Sequence, residues 1–214
     1  DDGSVLGGKA REDCKIDLIP QAFAMMAAEE LSREDEYARA GMRAVYDILF
    51  DREHALVRLL YPPFDKDGQS PGYIKGYVPG IRENGGQYTH AAVWAALGFF
   101  AGGENDRGAE VLFAINPALH GSDKRLAEAY KIEPYVLAGD VYASPDHMGR
   151  GGWSWYTGSA SWYRRAALET LCGYREEADG FTLCPHLSPR FSRFVLTVSK
   201  RNTYYRIHVP VSYT

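Results

Sequence analysis

The chain has 214 residues, a formal net charge of −4 and a hydrophobic fraction of 45%, which is ordinary for a globular protein. The negative charge argues against a nucleic-acid surface, and no run of about 18 apolar residues predicts a membrane span. The N-terminus lacks the basic and apolar regions of a signal peptide. The three cysteines have no metal-like spacing, so we expect reduced, buried thiols in a cytoplasmic protein.

The first 50 residues predict a pair of helices. Residues 14–28 carry apolar side chains at three- and four-residue steps, and Pro20 within them is expected to produce a kink. A second helix is predicted from Ser32, as its N-cap, to about Phe50.

A long connection follows over residues 51–86. It contains several Pro- and Gly-rich turn sequences and a short extended piece over residues 55–60. A loop of this length inside a compact domain is usually functional or disordered, and its aromatic content favours an ordered loop.

Beyond this loop, helical periodicity continues to residue 172 and then gives way to two-residue periodicity. Helices are predicted over residues 87–101, 105–115, 133–143 and 157–172, the last with Thr157 or Ser159 as N-cap. Short strands are predicted over residues 181–185, 193–199 and 203–209.

Six helices in three hairpins, several apolar on more than one side, predict a mainly α fold. We expect residues 1–173 to form about half of an (α/α)6 barrel. Residues 174–214 are expected to begin a C-terminal β-sandwich domain. Because three hairpins leave an open apolar wall, the expected protein partner is the N-terminal half of the barrel or another copy of this chain.

The segment over residues 80–91 combines charged, amide, hydroxyl and imidazole groups immediately before an apolar helix. Gly85 and Gly86 are expected to let the backbone approach a ligand. Tyr88 and His90 are expected on the first helical turn, where backbone N–H groups favour anions. The alternative is an elaborate helix N-cap.

Three internal stretches and the opening segment carry a family resemblance. Residues 72–91, 131–136 and 149–160, together with residues 1–17, resemble glycoside hydrolase family 94. This family contains inverting phosphorylases of β-linked glucosides and the matching catalytic regions of cyclic β-1,2-glucan synthases. The form Arg-Glu-Asn-Gly-Gly-Gln-Tyr-Thr-His at residues 82–90 is more similar to the cyclic-glucan-synthase branch.

The resemblance implies transfer of a glucosyl unit between a β-glucan or β-disaccharide, with β-1,2 linkage expected, and inorganic phosphate. It implies no cofactor, phosphate being a co-substrate. His90, Thr157 and Gly158 match the phosphate-holding positions of the family. An imidazole, a hydroxyl and a backbone N–H at a helix start all donate hydrogen bonds to an anion. The alternatives are a buried histidine at a helix start and a plain threonine cap.

The resemblance also implies a sugar-binding set. Its members are Tyr77, Arg82, Glu83, Gln87, Tyr88 and Glu133. Arginine and glutamate bind hydroxyls and tyrosine stacks on sugar rings, although a surface ion pair of Arg82 with Glu83 is the simple alternative. Tyr135, Trp153 and Trp155 are weaker candidates, and core packing explains the two tryptophans equally well.

A catalytic acid is not assigned. Phosphate attacks the anomeric carbon itself, so an inverting phosphorylase needs one protein carboxyl group, which protonates the leaving oxygen. The family's acid lies in an Asp-Trp-Asn-Asp-Gly type motif that is absent from these 214 residues, and Asp17, Asp140 and Asp146 lack its context. We therefore expect no phosphorolysis by the chain alone.

Two functions remain open after the sequence is read. The chain is either part of an active phosphorylase or glucan synthase, or a non-catalytic sugar- or phosphate-binding module or inactive remnant. We expect a cytoplasmic location, either as a separate protein or as the cytoplasmic part of a membrane-anchored synthase.

Overall fold

The computed structural model describes residues 5–66, 68, 70–155, 157–191 and 193–210. The helices are α1 (Leu18–Glu30), α2 (Glu36–Ala44), α3 (Thr89–Ala101), α4 (Asn105–Ala114), α5 (Pro117–Ser122), α6 (Lys124–Tyr130) and α7 (Thr157–Arg165). The π-helical segments Val45–Leu49 and Ala166–Leu171 extend α2 and α7, and 3₁₀ turns occupy Gly72–Gly76 and Pro145–His147. No helix in these described ranges is long and apolar enough to cross a membrane.

The strands form five antiparallel pairs. They are β1 (Ile16–Asp17), β2 (Phe50–Asp51), β3 (Leu56–Val57), β4 (Leu60–Tyr61), β5 (Gln87–Tyr88), β6 (Asp140–Val141), β7 (Tyr174–Glu176), β8 (Phe181–Leu183), β9 (Arg193–Lys200) and β10 (Thr203–Pro210). The pairs are β1 with β4, β2 with β3, β5 with β6, β7 with β8 and β9 with β10. Three of these pairs, β1 with β4, β2 with β3 and β5 with β6, lie within residues 14–172, where the sequence predicts mainly helices and one short extended piece.

The core is organised around α3, whose residues are buried on nearly every side. Small side chains allow its neighbours to come close: a Cβ atom at Gly98 would lie 3.1 Å from the Met42 sulfur and 3.3 Å from Cα of Ala22. Helices α1, α4 and α7 all pack on α3. The first turn of α3 is therefore held rigidly, and it carries His90.

Helix α1 begins later than the sequence predicts. Asp17 is its N-cap, and the carboxylate accepts a hydrogen bond from the Ile19 N–H at 3.0 Å. Pro20 falls in the first turn, where a backbone N–H has no intrahelical acceptor in any case. The predicted kink at Pro20 therefore has no physical cause.

Helix α2 is capped by a different residue from the one predicted. The Asp35 carboxylate accepts hydrogen bonds from the N–H groups of Tyr37 and Ala38. Ser32 has a φ of +50°, a left-handed conformation that an N-cap does not adopt. The predicted Ser32 cap is wrong, because the connection before α2 turns through that residue.

In the long connection before α3, buried Asn84 ties together distant parts of the described residues. Its amide oxygen accepts from the Phe64 N–H at 2.7 Å, and its NH₂ donates to the carbonyls of Phe64 and Tyr77 at 3.0 and 2.9 Å. The two glycines serve the loop's own packing: a Cβ at Gly86 would lie 2.8 Å from the Arg82 carbonyl oxygen, and Gly85 would meet Pro63. The structure gives these glycines a packing role, and the approach of their backbone to a ligand stays a prediction.

The predicted helix over residues 133–143 does not form. This stretch contains turns and strand β6, which pairs with β5. Pro134 and Gly139 disfavour a helix here, and the backbone of residues 140–141 is used by the partner strand instead. The predicted third helical hairpin is therefore wrong, because its first helix is missing. The short helices α5 and α6 lie before this stretch instead.

The strands predicted near the C-terminus are present as two hairpins. Strands β9 and β10 pair over eight residues each, and the connecting Arg201 and Asn202 both have positive φ, as a type I′ turn requires. Of the three cysteines, none is in a disulfide; Cys14 is buried and Cys184 is exposed, so the expectation of buried thiols fails at Cys184.

Candidate functional site

Three chain segments meet where α3 begins. Strand pairing sets Tyr88 opposite Asp140, and the Thr89 N–H donates to the Gly139 carbonyl at 3.0 Å. The Gly139 N–H in turn donates to the Trp153 carbonyl at 2.6 Å, and the Gly152 N–H donates to that of Asp140 at 2.9 Å. Backbone hydrogen bonds through residues 139–140 therefore join two of the resembling motifs, residues 72–91 and 149–160.

A cleft of about 220 Å³ opens at this junction. Its walls are formed by Arg82, Glu83, Tyr88, Gly139, Asp140 and Trp153. Clefts for drug-sized ligands usually measure ~300–1,000 Å³, so this one fits a small ligand or one unit of a larger one. Three of the predicted sugar-binding residues, Arg82, Glu83 and Tyr88, line it.

The cationic group of the cleft lies against aromatic rings. The Arg82 guanidinium carbon is 4.2 Å from the ring centroid of Trp153 and 5.8 Å from that of Tyr77. Tyr77 in turn meets Tyr73 edge-on at 6.2 Å. Cation–π contact holds the guanidinium over the indole face, so its N–H groups are oriented by a rigid support.

Two carboxyl groups face the same cleft. Asp140 is 6% exposed, and its Oδ1 accepts a hydrogen bond from the Trp153 N–H at 2.8 Å. Oδ2 of Asp140 and Oε2 of Glu83 are both buried without a hydrogen-bond partner among the described residues. Buried carboxyl oxygens normally have partners, so these two are acceptors available to a ligand.

The electrostatics of Asp140 follow from this position. Burial raises the pKa of its carboxyl group above the usual value, and the nearby charge of Glu83 adds to the rise. The Trp153 N–H and the charge of Arg82 oppose it. The sequence did not predict Asp140 as a site residue. Only the pairing of β5 with β6 brings it to the cleft, and that pairing cannot be read from the residues around Asp140.

His90 lies beside the cleft at the meeting of two helix N-termini. Its ring stacks on Tyr88 with 5.0 Å between centroids and 17° between planes. A Cβ atom at Gly158, in the first turn of α7, would lie only 2.6 Å from His90 Nε2. The structure thus brings together two of the three predicted phosphate-binding residues.

Two ring nitrogens at the start of α3 have unused hydrogen-bonding capacity within the described residues. The Nδ1 of His90 and the Nε1 of Trp94, one turn further along α3, are both buried without a hydrogen-bond partner in the described part of the chain. Burial lowers the pKa of the His90 imidazole below 6.5. The ring is therefore mainly neutral at neutral pH, with one N–H to donate.

The remaining predicted residues are placed differently. The side chain of Thr157 lies outside the described residues, so its proximity to His90 stays a prediction. Gln87 is 2% exposed, and its amide accepts from the Val57 N–H and donates to the Thr89 hydroxyl, so its contacts are internal. Glu133 lies in an exposed group with Trp155, whose indole N–H donates to Glu133 Oε1 at 3.3 Å.

The chain is mainly helical, and its cleft is lined by aromatic, arginine and carboxyl side chains. The chain belongs to the glycosyl hydrolase 94 superfamily, because the catalytic-domain model of that family matches residues 1–173.

Similar proteins include a synthase and several phosphorylases. The chain is 40% identical over 209 residues to the cyclic beta-(1,2)-glucan synthase NdvB of Rhizobium meliloti (strain 1021), covering 98% of this chain and 7% of that protein. It is 27% identical over 210 residues to the N,N'-diacetylchitobiose phosphorylase of Vibrio furnissii, covering 97% and 25%. It is 28% identical over 187 residues to the solabiose phosphorylase of Paenibacillus borealis, covering 86% and 23%. The chain therefore spans a quarter or less of these relatives.

Proposed function

We propose that this chain supplies the phosphate- and sugar-binding part of a site that transfers a glucosyl unit between a β-glucan and inorganic phosphate. The observation that carries the proposal is the stacked pair of Tyr88 and His90, because it joins the sugar cleft to the meeting point of two helix N-termini. A β-1,2 linkage is supported by the 40% identity to a cyclic beta-(1,2)-glucan synthase.

The phosphate position follows from the His90 surroundings. The first turns of α3 and α7 each present partial positive charge, and Gly158 leaves room for the imidazole between them. A bound phosphate dianion would accept a hydrogen bond from the ring and favour its protonated form. Thr157, the first residue of α7, is the expected hydroxyl donor.

The sugar position follows from the cleft. Glu83 Oε2 and Asp140 Oδ2, which have no hydrogen-bond partner among the described residues, accept hydrogen bonds from the hydroxyl groups of the sugar. Arg82 donates hydrogen bonds from its place over Trp153. With the sugar ring held in the cleft, an oxygen of the phosphate next to His90 attacks the anomeric carbon. The bond to the leaving oxygen breaks as that oxygen takes a proton, and the configuration inverts.

The architecture forms part of the proposal. Residues 1–173 would contribute about half of an (α/α)6 barrel, and residues 174–214 the start of a β domain. The general acid would come from outside the motifs present here. Since the synthase and phosphorylase relatives are much longer than this chain, their activity is a proposal for the protein that carries it.

A second candidate function is binding without chemistry. The cleft and the His90 position serve a sugar- and phosphate-binding module equally well. Release of glucose 1-phosphate distinguishes the two functions.

The test is calorimetric titration of the purified chain with inorganic phosphate and, separately, with sophorose. We expect both to bind, and His90→Ala to weaken phosphate binding roughly 10- to 150-fold while leaving sophorose binding nearly unchanged. His147→Ala, at an exposed position, is the matched control. Unchanged phosphate affinity in His90→Ala would contradict the proposal.

The same preparations are then incubated with sophorose and phosphate. We expect no glucose 1-phosphate above background from the chain alone. Its release would contradict that expectation, and would make Asp140, whose pKa burial raises, the acid to test by Asp140→Asn.

A further inference from the structure

The proposed phosphate contact leaves the hydrogen-bonding capacity of two ring nitrogens unused. They are His90 Nδ1 and Trp94 Nε1, both buried and without a hydrogen-bond partner among the described residues. A buried indole N–H normally finds an acceptor, and a buried imidazole nitrogen normally finds a partner of its own. The two residues lie four positions apart on α3, so their side chains share one face of the helix. The two nitrogens therefore call for a common explanation.

The orientation of the His90 ring is set by its neighbours. Tyr88 stacks on the imidazole with 5.0 Å between centroids, and the Trp94 indole lies at 6.0 Å with 59° between the ring planes. Nε2 is the ring atom nearest the first turn of α7, because it would lie 2.6 Å from a Cβ atom at Gly158. These contacts leave open which nitrogen of the neutral ring carries the proton.

The Trp94 indole is held by rings from two other helices. Phe23 of α1 meets it edge-on with 5.2 Å between centroids, and Trp162 of α7 does so with 5.8 Å. Contacts from both sides of α3 thus fix the direction of the Trp94 N–H. An indole N–H donates and never accepts, so the group that it faces must offer a lone pair.

We infer that Trp94 is a positioning residue whose indole N–H, acting through one bridging water, keeps His90 Nδ1 an acceptor and so places the ring proton on Nε2. The Trp94 N–H donates to the water oxygen, and a water O–H donates to Nδ1. The two nitrogens do not bond to each other directly, and a buried water commonly satisfies two such groups.

The consequence lies at the phosphate position. With the proton on Nε2, the imidazole donates toward the first turn of α7, where the phosphate is proposed. The inference rests on the proposed function, because it takes that N–H as the phosphate donor. It adds the residue that selects the tautomer of His90.

The test identifies the protonated nitrogen of His90 by long-range proton–nitrogen NMR correlation on the purified chain without phosphate. Burial lowers the pKa of His90 below 6.5, so the ring is neutral at about pH 8. We expect the Nε2–H tautomer in the wild type, with a nuclear Overhauser effect between bound water and the Trp94 indole proton. Trp94→Phe keeps an aromatic ring but removes the N–H, so the Nδ1–H tautomer should become populated.

Titration with inorganic phosphate at the same pH measures the effect on binding. An Nδ1–H tautomer turns a lone pair toward the dianion, so Trp94→Phe should weaken phosphate binding about two- to tenfold. Sophorose binding should be nearly unchanged, because Trp94 does not line the cleft. The matched control is Trp162→Phe, which removes an indole from the same aromatic contacts. It should leave both the tautomer and the phosphate affinity as they are in the wild type.

The outcomes separate this inference from the proposed function. An Nδ1–H tautomer in the wild type, or no change of tautomer in Trp94→Phe, overturns the role of Trp94 and leaves phosphate binding at His90 standing. Equal effects of Trp94→Phe and Trp162→Phe also overturn it, because ring packing would then explain both. The expected change of tautomer without any phosphate binding supports the role of Trp94 and overturns the proposed function.

A folding defect in Trp94→Phe, detected by circular dichroism, leaves the decision to the wild type. The Nε2–H tautomer together with the water contact at the Trp94 indole proton then supports the inference. The lack of either one overturns it.

Discussion

Asp140 and His90 illustrate at the residue scale how a binding site departs from the rules of a stable core. Asp140 is a buried residue and His90 a half-buried one, and each has a buried polar atom without a hydrogen-bond partner in the described structure. In both, burial shifts the pKa toward the neutral form, upward for the acid and downward for the base. Such groups cost folding free energy, and the proposed ligand would offset that cost by pairing with them.

Replacement of Asp140 by asparagine should separate stability from binding. The pKa of Asp140 is higher in the folded than in the unfolded chain. The contribution of this carboxyl group to the free energy of unfolding is therefore fully present below pH 3.8 and is lost as pH rises through the folded-state pKa. Asp140→Asn should therefore be more stable than the wild type at neutral pH, with the difference vanishing in acid. Its sugar affinity should fall about 10- to 150-fold.

Urea denaturation at the two pH values and calorimetric titration with sophorose measure these effects. The control is Asp146→Asn, at an exposed position in the same loop region. A variant that is less stable at neutral pH than the wild type would refute this reading of Asp140.

Addition of one methyl group at Gly158 should damage the phosphate position. The new Cβ would lie 2.6 Å from His90 Nε2, so the imidazole must move away from the first turn of α7. We expect Gly158→Ala to lower phosphate affinity at least as much as one lost charged hydrogen bond, about tenfold or more. Gly180→Ala is the control, because its Cβ would meet nothing within 4 Å. Equal phosphate affinity in the two variants would contradict the placement of His90.

At the scale of single elements, local sequence patterns predicted the helices and strands that are stabilised by their own apolar periodicity. Helices α3 and α4 and the strands of the C-terminal hairpins follow from apolar periodicity, within a few residues at each end. The segment around β6 could not be predicted, because its backbone is organised by pairing with β5, about fifty residues earlier in the chain. Asp140, which lies in this segment, was therefore not predicted as a site residue. Arg82, Glu83 and His90 were predicted because they lie in a recognisable sequence motif.

The cap of α2 gives a direct test at this scale. Asp35→Ala removes the acceptor for two N–H groups and should lower the free energy of unfolding by about 1 kcal/mol. Ser32→Ala should have almost no effect, because Ser32 lies outside the helix in a left-handed turn. Urea denaturation of both variants measures the difference, and a larger loss from Ser32→Ala would restore the cap that the sequence suggested.

The molecule as a whole should lose stability as it is acidified below neutral pH. Burial lowers the pKa of both His90 and His120, and His120 is stacked on Tyr130 with 4.4 Å between ring centroids. A depressed histidine pKa contributes stability that is present above pH 6.5 and lost as pH falls through the folded-state pKa.

The free energy of unfolding should therefore fall between neutral pH and about pH 5, and the fall should be smaller in His120→Gln. Backbone hydrogen bonds to Ala114 and Ala55 oppose the shift at His120 without reversing it. Denaturation curves at both pH values decide the matter. An unchanged pH dependence in His120→Gln would show that this histidine keeps an ordinary pKa in the folded chain.

The central claim is that phosphate binds at His90, next to the sugar cleft, and NMR titration of the six histidine rings tests it most directly. The pKa of each ring is measured with and without saturating inorganic phosphate. The His90 pKa should rise on phosphate binding, because a dianion beside the ring favours the imidazolium, while the His120 pKa stays where burial sets it. A His90 pKa that is the same with and without phosphate would contradict the account.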